Sequence, residues 1–126
     1  MLSSAPWVYF SLTCLVILFQ LGLAVGLPWG SVAMGGKYPG KFPHHMRGAA
    51  VVQALILAAL AATVLTRADV IFPQWLATSR ILTWFVVAFG IISVVLNLTT
   101  PSKWERRIWG PVTVLMLLSS LAVAID

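Results

Sequence analysis

Four uninterrupted apolar runs, at about 7–26, 48–65, 81–98 and 108–125, constrain this chain more than any other feature, and none contains Asp, Glu, Lys, Arg or His. Each is roughly 18–20 residues long, the length at which an α-helix crosses a hydrocarbon core of about 30 Å. Lipid offers the backbone no hydrogen-bond partner, so such runs must pair their own N–H and C=O groups as helices. The apolar/polar alternation of a membrane β-barrel strand is absent. Composition agrees: 60% of residues are hydrophobic and 9% charged, where a water-facing surface needs roughly 25% charged. The expected fold is all-α and polytopic, a single four-helix transmembrane domain over residues 1–126, with the helices antiparallel. The first run reads as a retained span, because "MLSSAPW" lacks the basic start of a cleaved leader.

Charge sets the expected orientation. With four spans, the first and third connectors share one side, which carries Lys37, Lys41, Arg47, Lys103, Arg106 and Arg107; the other side carries Arg67 and Arg80. The positive-inside rule puts the richer side in the cytoplasm and both termini outside it. The net charge of +5 then reads as attraction to anionic headgroups. Nucleic acid is not an expected partner, since no soluble basic face exists to bind it.

The third connector, "TTPSKWERRIWGP", holds Ser102 and Glu105 at capping-box spacing. It predicts a short interfacial helix, with Gly110-Pro111 kinking it or starting the fourth span afresh. Trp104 and Arg106 suit the headgroup level. The second connector, with Phe72 and Trp75 among polar residues, is expected to lie along the opposite interface.

Within the spans the polar residues are few. Gln20 and Gln53 fall at one depth on adjacent helices, and Asn97 sits near the same end of the third. They serve either as helix–helix hydrogen bonds or as the lining of a pocket beneath the first connector. Gly22-x-x-x-Gly26 and the alanines of "QALILAALAA" predict close helix packing. No span contains an ionisable group, which disfavours proton- or ion-coupled transport.

The first connector, "GLPWGSVAMGGKYPGKFPHHM", is the richest stretch. Gly30, Gly36 and Lys37 imitate a nucleotide-binding loop, but five residues separate the glycines and Tyr38 stands where Ser or Thr must hold magnesium. Gly35 and Gly36, beside Lys37 and Lys41, form instead a candidate anion-binding nest. His44, His45 and Met46, with Met34 nearby, carry donor types suited to copper, though adjacent histidines in a loop are no metal spacing by themselves. Cys14 is the only cysteine and lies in the first span, where burial silences a thiol. No cofactor is implied.

"PWGSVAMGGKYPGKFP…MR" and "LNLTTPSKWERRIWGPV" resemble the matching loops of a group of small bacterial four-span membrane proteins without an assigned function. The resemblance covers most of the chain and implies a multi-pass protein of the bacterial inner membrane. It supplies no activity or catalytic residue.

The expected function is therefore non-enzymatic. Trp29, Gly35, Gly36, Lys37, Lys41, Trp104, Glu105 and Arg106, above Gln20, Gln53 and Asn97, would form one cytoplasmic site. Its occupant would be a lipid headgroup, an amphipathic small molecule or a partner subunit, including a second copy. Two alternatives stand beside it: an oligomeric channel or uncoupled exporter of small solutes, and a membrane-embedded enzyme using Glu105 with His44 or His45 as an acid/base pair.

Overall fold

The computed structural model describes residues 4–126. Four helices, α1 (Ala5–Ala24), α2 (His44–Arg67), α3 (Leu76–Thr99) and α4 (Lys103–Ile125), are each long and apolar enough to cross a membrane. They form an antiparallel bundle in which α1 neighbours α2 and α4, α3 neighbours α2 and α4, and α2 touches α4 across the diagonal. Single-turn 3-10 segments occupy the connectors at Gly30–Val32, Met34–Gly36 and Pro73–Trp75.

Helix ends follow from local chemistry. At the end of α1, Leu27 N–H bonds to Gly22 C=O and Gly26 N–H to Leu23 C=O, with Gly26 left-handed at φ 94°. That is a Schellman cap, which needs a residue able to turn left. The end of α2 repeats it: Val70 N–H meets Leu65 C=O and Asp69 N–H meets Thr66 C=O, with Asp69 at φ 63°. Here a side chain occupies the position that glycine fills at lowest strain.

Three expectations are corrected. The helix that carries the second span starts at His44, so His44, His45 and Met46 form the first turn of α2 and do not lie in a loop. Pro43 sets this boundary: it adopts extended backbone (φ −63°, ψ 159°) at the N-cap, and its carbonyl accepts from Met46 and Arg47 N–H. No separate interfacial helix precedes the fourth span, since α4 runs unbroken from Lys103 through Pro111. The proline's missing N–H frees the carbonyl four residues back, on exposed Arg107, while Thr113 Oγ1 donates to the Trp109 and Gly110 carbonyls. Gly22-x-x-x-Gly26 is also no helix-packing motif. A Cβ at Gly22 would lie 2.1 Å from Trp29 Cζ3, so this glycine seats an indole, and Gly26 is the cap residue. The alanine expectation holds, with Ala50, Ala54, Leu57 and Ala61 forming the buried stripe of α2.

The interior is packed with apolar residues and small hydroxyls. Tyr9, Val64, Val86, Met116 and Val123 anchor the core toward the α2–α3 connector. Thr13, Thr83 and Ser120 are fully buried, and each hydroxyl donates to a carbonyl three or four residues back in its own helix. Among the described residues these buried hydroxyls are thus satisfied within their own helices, and the helices are held by close packing of small side chains. The outward residues of α3, among them Ile81, Phe85 and Leu96, are about two-thirds exposed and face lipid.

Candidate functional site

The cap is built from the α1–α2 connector folded over the bundle end and docked onto the start of α4. Leu23, Ala33, Phe42 and Ala50 form its buried core, with Phe19, Tyr38 and Met46 packed against them. The loop crosses itself at Gly30, whose N–H donates to the Gly40 carbonyl at 2.8 Å. A Cβ there would sit 1.8 Å from the Tyr38 carbonyl oxygen. Only glycine fits this crossing. Trp29 lies over Gly22 and stacks on Phe19, with centroids 5.8 Å apart and planes 5° from parallel. Phe19 in turn meets Trp109 of α4 at 4.7 Å.

Three hydrogen bonds fasten this loop to α4. Trp109 Nε1 donates to the Val32 carbonyl at 3.1 Å, and Ser102 Oγ donates to the Ser31 carbonyl at 2.7 Å. Glu105 Oε1 accepts from the Gly35 N–H at 3.2 Å. Ser102 Oγ also accepts the Glu105 N–H at 3.2 Å, so half of the capping box forms. Its reciprocal half does not, since Ser102 N–H turns to Thr100 Oγ1 at 3.3 Å. The Glu105 carboxylate has left its own helix for the loop.

That choice changes the meaning of the glycine pair. Met34, Gly35 and Gly36 are all left-handed, at φ 51°, 67° and 77°. They present the Gly35 N–H to an anion, and the anion is the chain's own Glu105, which is 8% exposed. Glu105 is the only acid at this end of the bundle. Buried under the loop, it leaves Lys37, Lys41, Lys103, Arg106 and Arg107, all exposed, without a carboxylate partner. Lys37 Nζ lies 5.6 Å from the Tyr38 ring centroid, Arg107 sits over Trp104 at 5.4 Å, and Arg106 donates to the Thr100 carbonyl. Arg47 differs from these bases. It is half-buried, gives its Nε–H to the Phe42 carbonyl at 2.9 Å, and lays its guanidinium against Gly26.

The expected site residues therefore divide. Gly35 and Glu105 meet directly, and Gly36 approaches Ser102. Lys37, Lys41, Trp104 and Arg106 form an exposed rim, with Trp29 wedged beside it at 41% exposure. Gln20 and Gln53 are half-buried and make no side-chain hydrogen bond among the described residues, so they do not join α1 to α2. Asn97 donates to the Ser93 carbonyl of its own helix at 2.8 Å. His44 and His45 are exposed; His45 stands edge-on to Tyr38 at 6.0 Å, and neither bonds to Glu105. Met46 packs into the cap core. No group of three His, Cys, Asp or Glu gathers among the described residues.

Sequence reasoning missed Gly22, Gly30, Ser31 and Arg47 as builders of the cap. Only Gly30 had a local signal, in Pro-Trp-Gly; the others matter through residues distant in sequence. No protein-family model, curated protein or solved structure matches the chain.

Proposed function

We propose that this multi-pass membrane protein belongs to the bacterial inner membrane, with the cap in the cytoplasm, and that the cap is a non-enzymatic binder of anionic lipid headgroups. One observation carries the reading: the sole acid at the cap end is turned inward onto Gly35, so five exposed bases form a rim free of carboxylates. Each base near an anionic surface contributes about 1 kcal/mol of attraction. The rim is also fixed in shape, because Trp109, Ser102 and Glu105 tie the loop to α4. A fixed frame spares the backbone ordering cost when the bases meet a phosphate, leaving the side-chain rotamers as the cost. Trp104, 58% exposed beside Arg107, suits the interface.

Lipid retention tests the reading. The protein is reconstituted in nanodiscs of equal phosphatidylglycerol and phosphatidylethanolamine, then released for native mass spectrometry. Wild type should retain phosphatidylglycerol, and the triple variant Lys37→Gln, Lys103→Gln, Arg106→Gln should lose it. Retention unchanged in the folded triple variant refutes a headgroup role for the rim.

A further inference from the structure

At the end of the bundle away from the cap, a cleft of about 250 Å³ opens between the end of α2 and the start of α3. The hydroxyls of Thr63, Thr66, Thr78 and Ser79 line it, with the Phe72 and Trp75 rings on the connector side. Thr66 and Ser79 are buried, at 4% and 2% exposure. Three of the four hydroxyl hydrogens are already spent. Thr63 donates to the Ala59 carbonyl at 2.9 Å, Thr66 to Ala62 at 2.7 Å and Ser79 to Leu76 at 2.7 Å. None of the four oxygens accepts a hydrogen bond among the described residues. A hydroxyl has two acceptor lone pairs, so the buried wall offers acceptors and no donor. The connector is strained beside it. Phe72 is left-handed at φ 46° and ψ 61°, an outlier for a bulky residue. Its carbonyl accepts the Trp75 N–H at 2.9 Å, and both rings face the cleft. Strain of this kind clusters at ligand clamps.

A phosphate or carboxylate brings only acceptors and would find no bond to make on this wall. An ammonium brings donors, but no carboxylate lines the cleft, and a charge buried without a partner is costly. The residues next to Thr66 and Ser79 are bases, Arg67 and Arg80. Arg67 is turned away, its Nη2 donating to the Asp126 main-chain carbonyl at 2.6 Å in a separate cleft. What fits is an uncharged donor on an apolar body. We propose that this cleft binds a membrane-soluble alcohol, its hydroxyl donating to the oxygens of Thr66 and Ser79 and its body lying between the Phe72 and Trp75 rings. The helix ends and the exposed Trp75 place that hydroxyl at the interface. The chain leaves along Leu82, which lines the cleft and is exposed to lipid. The volume lies below the usual range of small-molecule sites, which suits the polar end of an amphiphile whose chain stays in the bilayer.

The experiment uses the 126-residue chain in the same two-lipid nanodiscs, with hexadecanol carrying a diazirine on its chain as a photoreactive probe. Adducts mapped by mass spectrometry should fall within residues 62–82, the stretch that lines the cleft. Unlabelled hexadecanol should displace the probe at least about five-fold better than its methyl ether, which keeps the oxygen and lacks the donor; that ratio corresponds to roughly 1 kcal/mol, the size of one hydrogen bond. Displacement by dioleoylglycerol as well would extend the occupant to lipids with a free hydroxyl, and its failure would confine the site to single-chain alcohols. Thr66→Val keeps the shape, removes an acceptor and should lower labelling about five-fold. Thr99→Val, the same change at an exposed threonine that also bonds within its helix, should leave it unchanged, as should the cap triple variant. Adducts scattered outside the cleft overturn the proposal. So does equal displacement by alcohol and ether, which is read on wild type and needs no variant to fold.

Discussion

The two ends of the bundle solve the same problem by opposite means. At the cap, the nineteen-residue loop 25–43 is folded into a small core of its own and bonded to the start of α4 at three points. At the other end, the eight-residue α2–α3 connector holds one 3-10 turn, no loop core is built, and clefts open between the helix ends. The charges differ in the same sense. The cap buries its one acid and exposes a cationic rim, while the opposite end keeps two acids beside two bases. Six bases to one acid make the cap end cationic, and burying that acid leaves its exposed rim without any carboxylate. The count of bases sets the electrostatic asymmetry, and the inward turn of Glu105 decides only that no carboxylate interrupts the rim.

The strongest way to break the comparison is at the loop crossing. Gly30→Ala forces a methyl into the Tyr38 and Gly40 carbonyls, at 1.8 and 2.6 Å, and should cost about 3 kcal/mol. Hydrogen exchange should then rise across residues 27–42 while the α2–α3 connector stays as protected as in wild type. Equal loss of protection at both ends would show that the cap is no separate unit.

Glu105→Ala should cost about 2 kcal/mol by stranding the Gly35 N–H. Exchange of that single amide, followed by NMR, should quicken at least ten-fold, and Glu105→Gln, which keeps an acceptor, should recover much of the protection. An unchanged Gly35 amide in the alanine variant would mean the carboxylate does not hold the loop.

The paired Schellman caps allow a reciprocal test. Asp69→Gly removes a side chain from the left-handed region at φ 63° and should stabilise by about 0.5–1 kcal/mol. Gly26→Ala, at φ 94° and 3.1 Å from Arg47 Nη2, should destabilise by about 1 kcal/mol. Thermal unfolding in detergent reads both signs, and two shifts of the same sign would refute the strain argument.

The smallest expected difference is in salt response. Phosphatidylglycerol retention at the exposed rim should fall as salt rises from 50 to 300 mM, because screening acts most on solvated charges. Retention unaffected by salt across that range would argue against a headgroup site built on solvated charges.

Much of this molecule could be read from its residues. The four apolar runs specified four helices, because an uncharged run of that length has only one way to satisfy its backbone in lipid. The Ser102–Glu105 spacing marked a helix start, which Ser102 caps, but that helix is α4 itself and not a separate interfacial one. The fate of the Glu105 side chain was not visible. A carboxylate can close its own capping box or reach another loop, and spacing alone does not distinguish the two. Gly22 misled for a similar reason: a small residue in a span accepts either a neighbouring helix or a ring, and here Trp29 arrives from seven residues onward. Gln20 and Gln53 were correctly placed within their helices, but matched depth did not make them bond.

The sequence by itself determined the solvent, the number of spans, their antiparallel order and the charge imbalance between the ends. Each depends on local composition or on counting along the chain, and neither requires knowing which residues meet. Only the tertiary structure decided that the Gly35 turn is filled from within, that Arg47 is spent on holding the loop, and that Arg67 and Asp126 share a cleft. Those facts join residues that lie far apart, from Gly26 against Arg47 to Gly35 against Glu105. Such pairs are chosen by packing of the whole bundle, where a hydrogen bond is worth making only if the helices already bring both partners within about 3 Å.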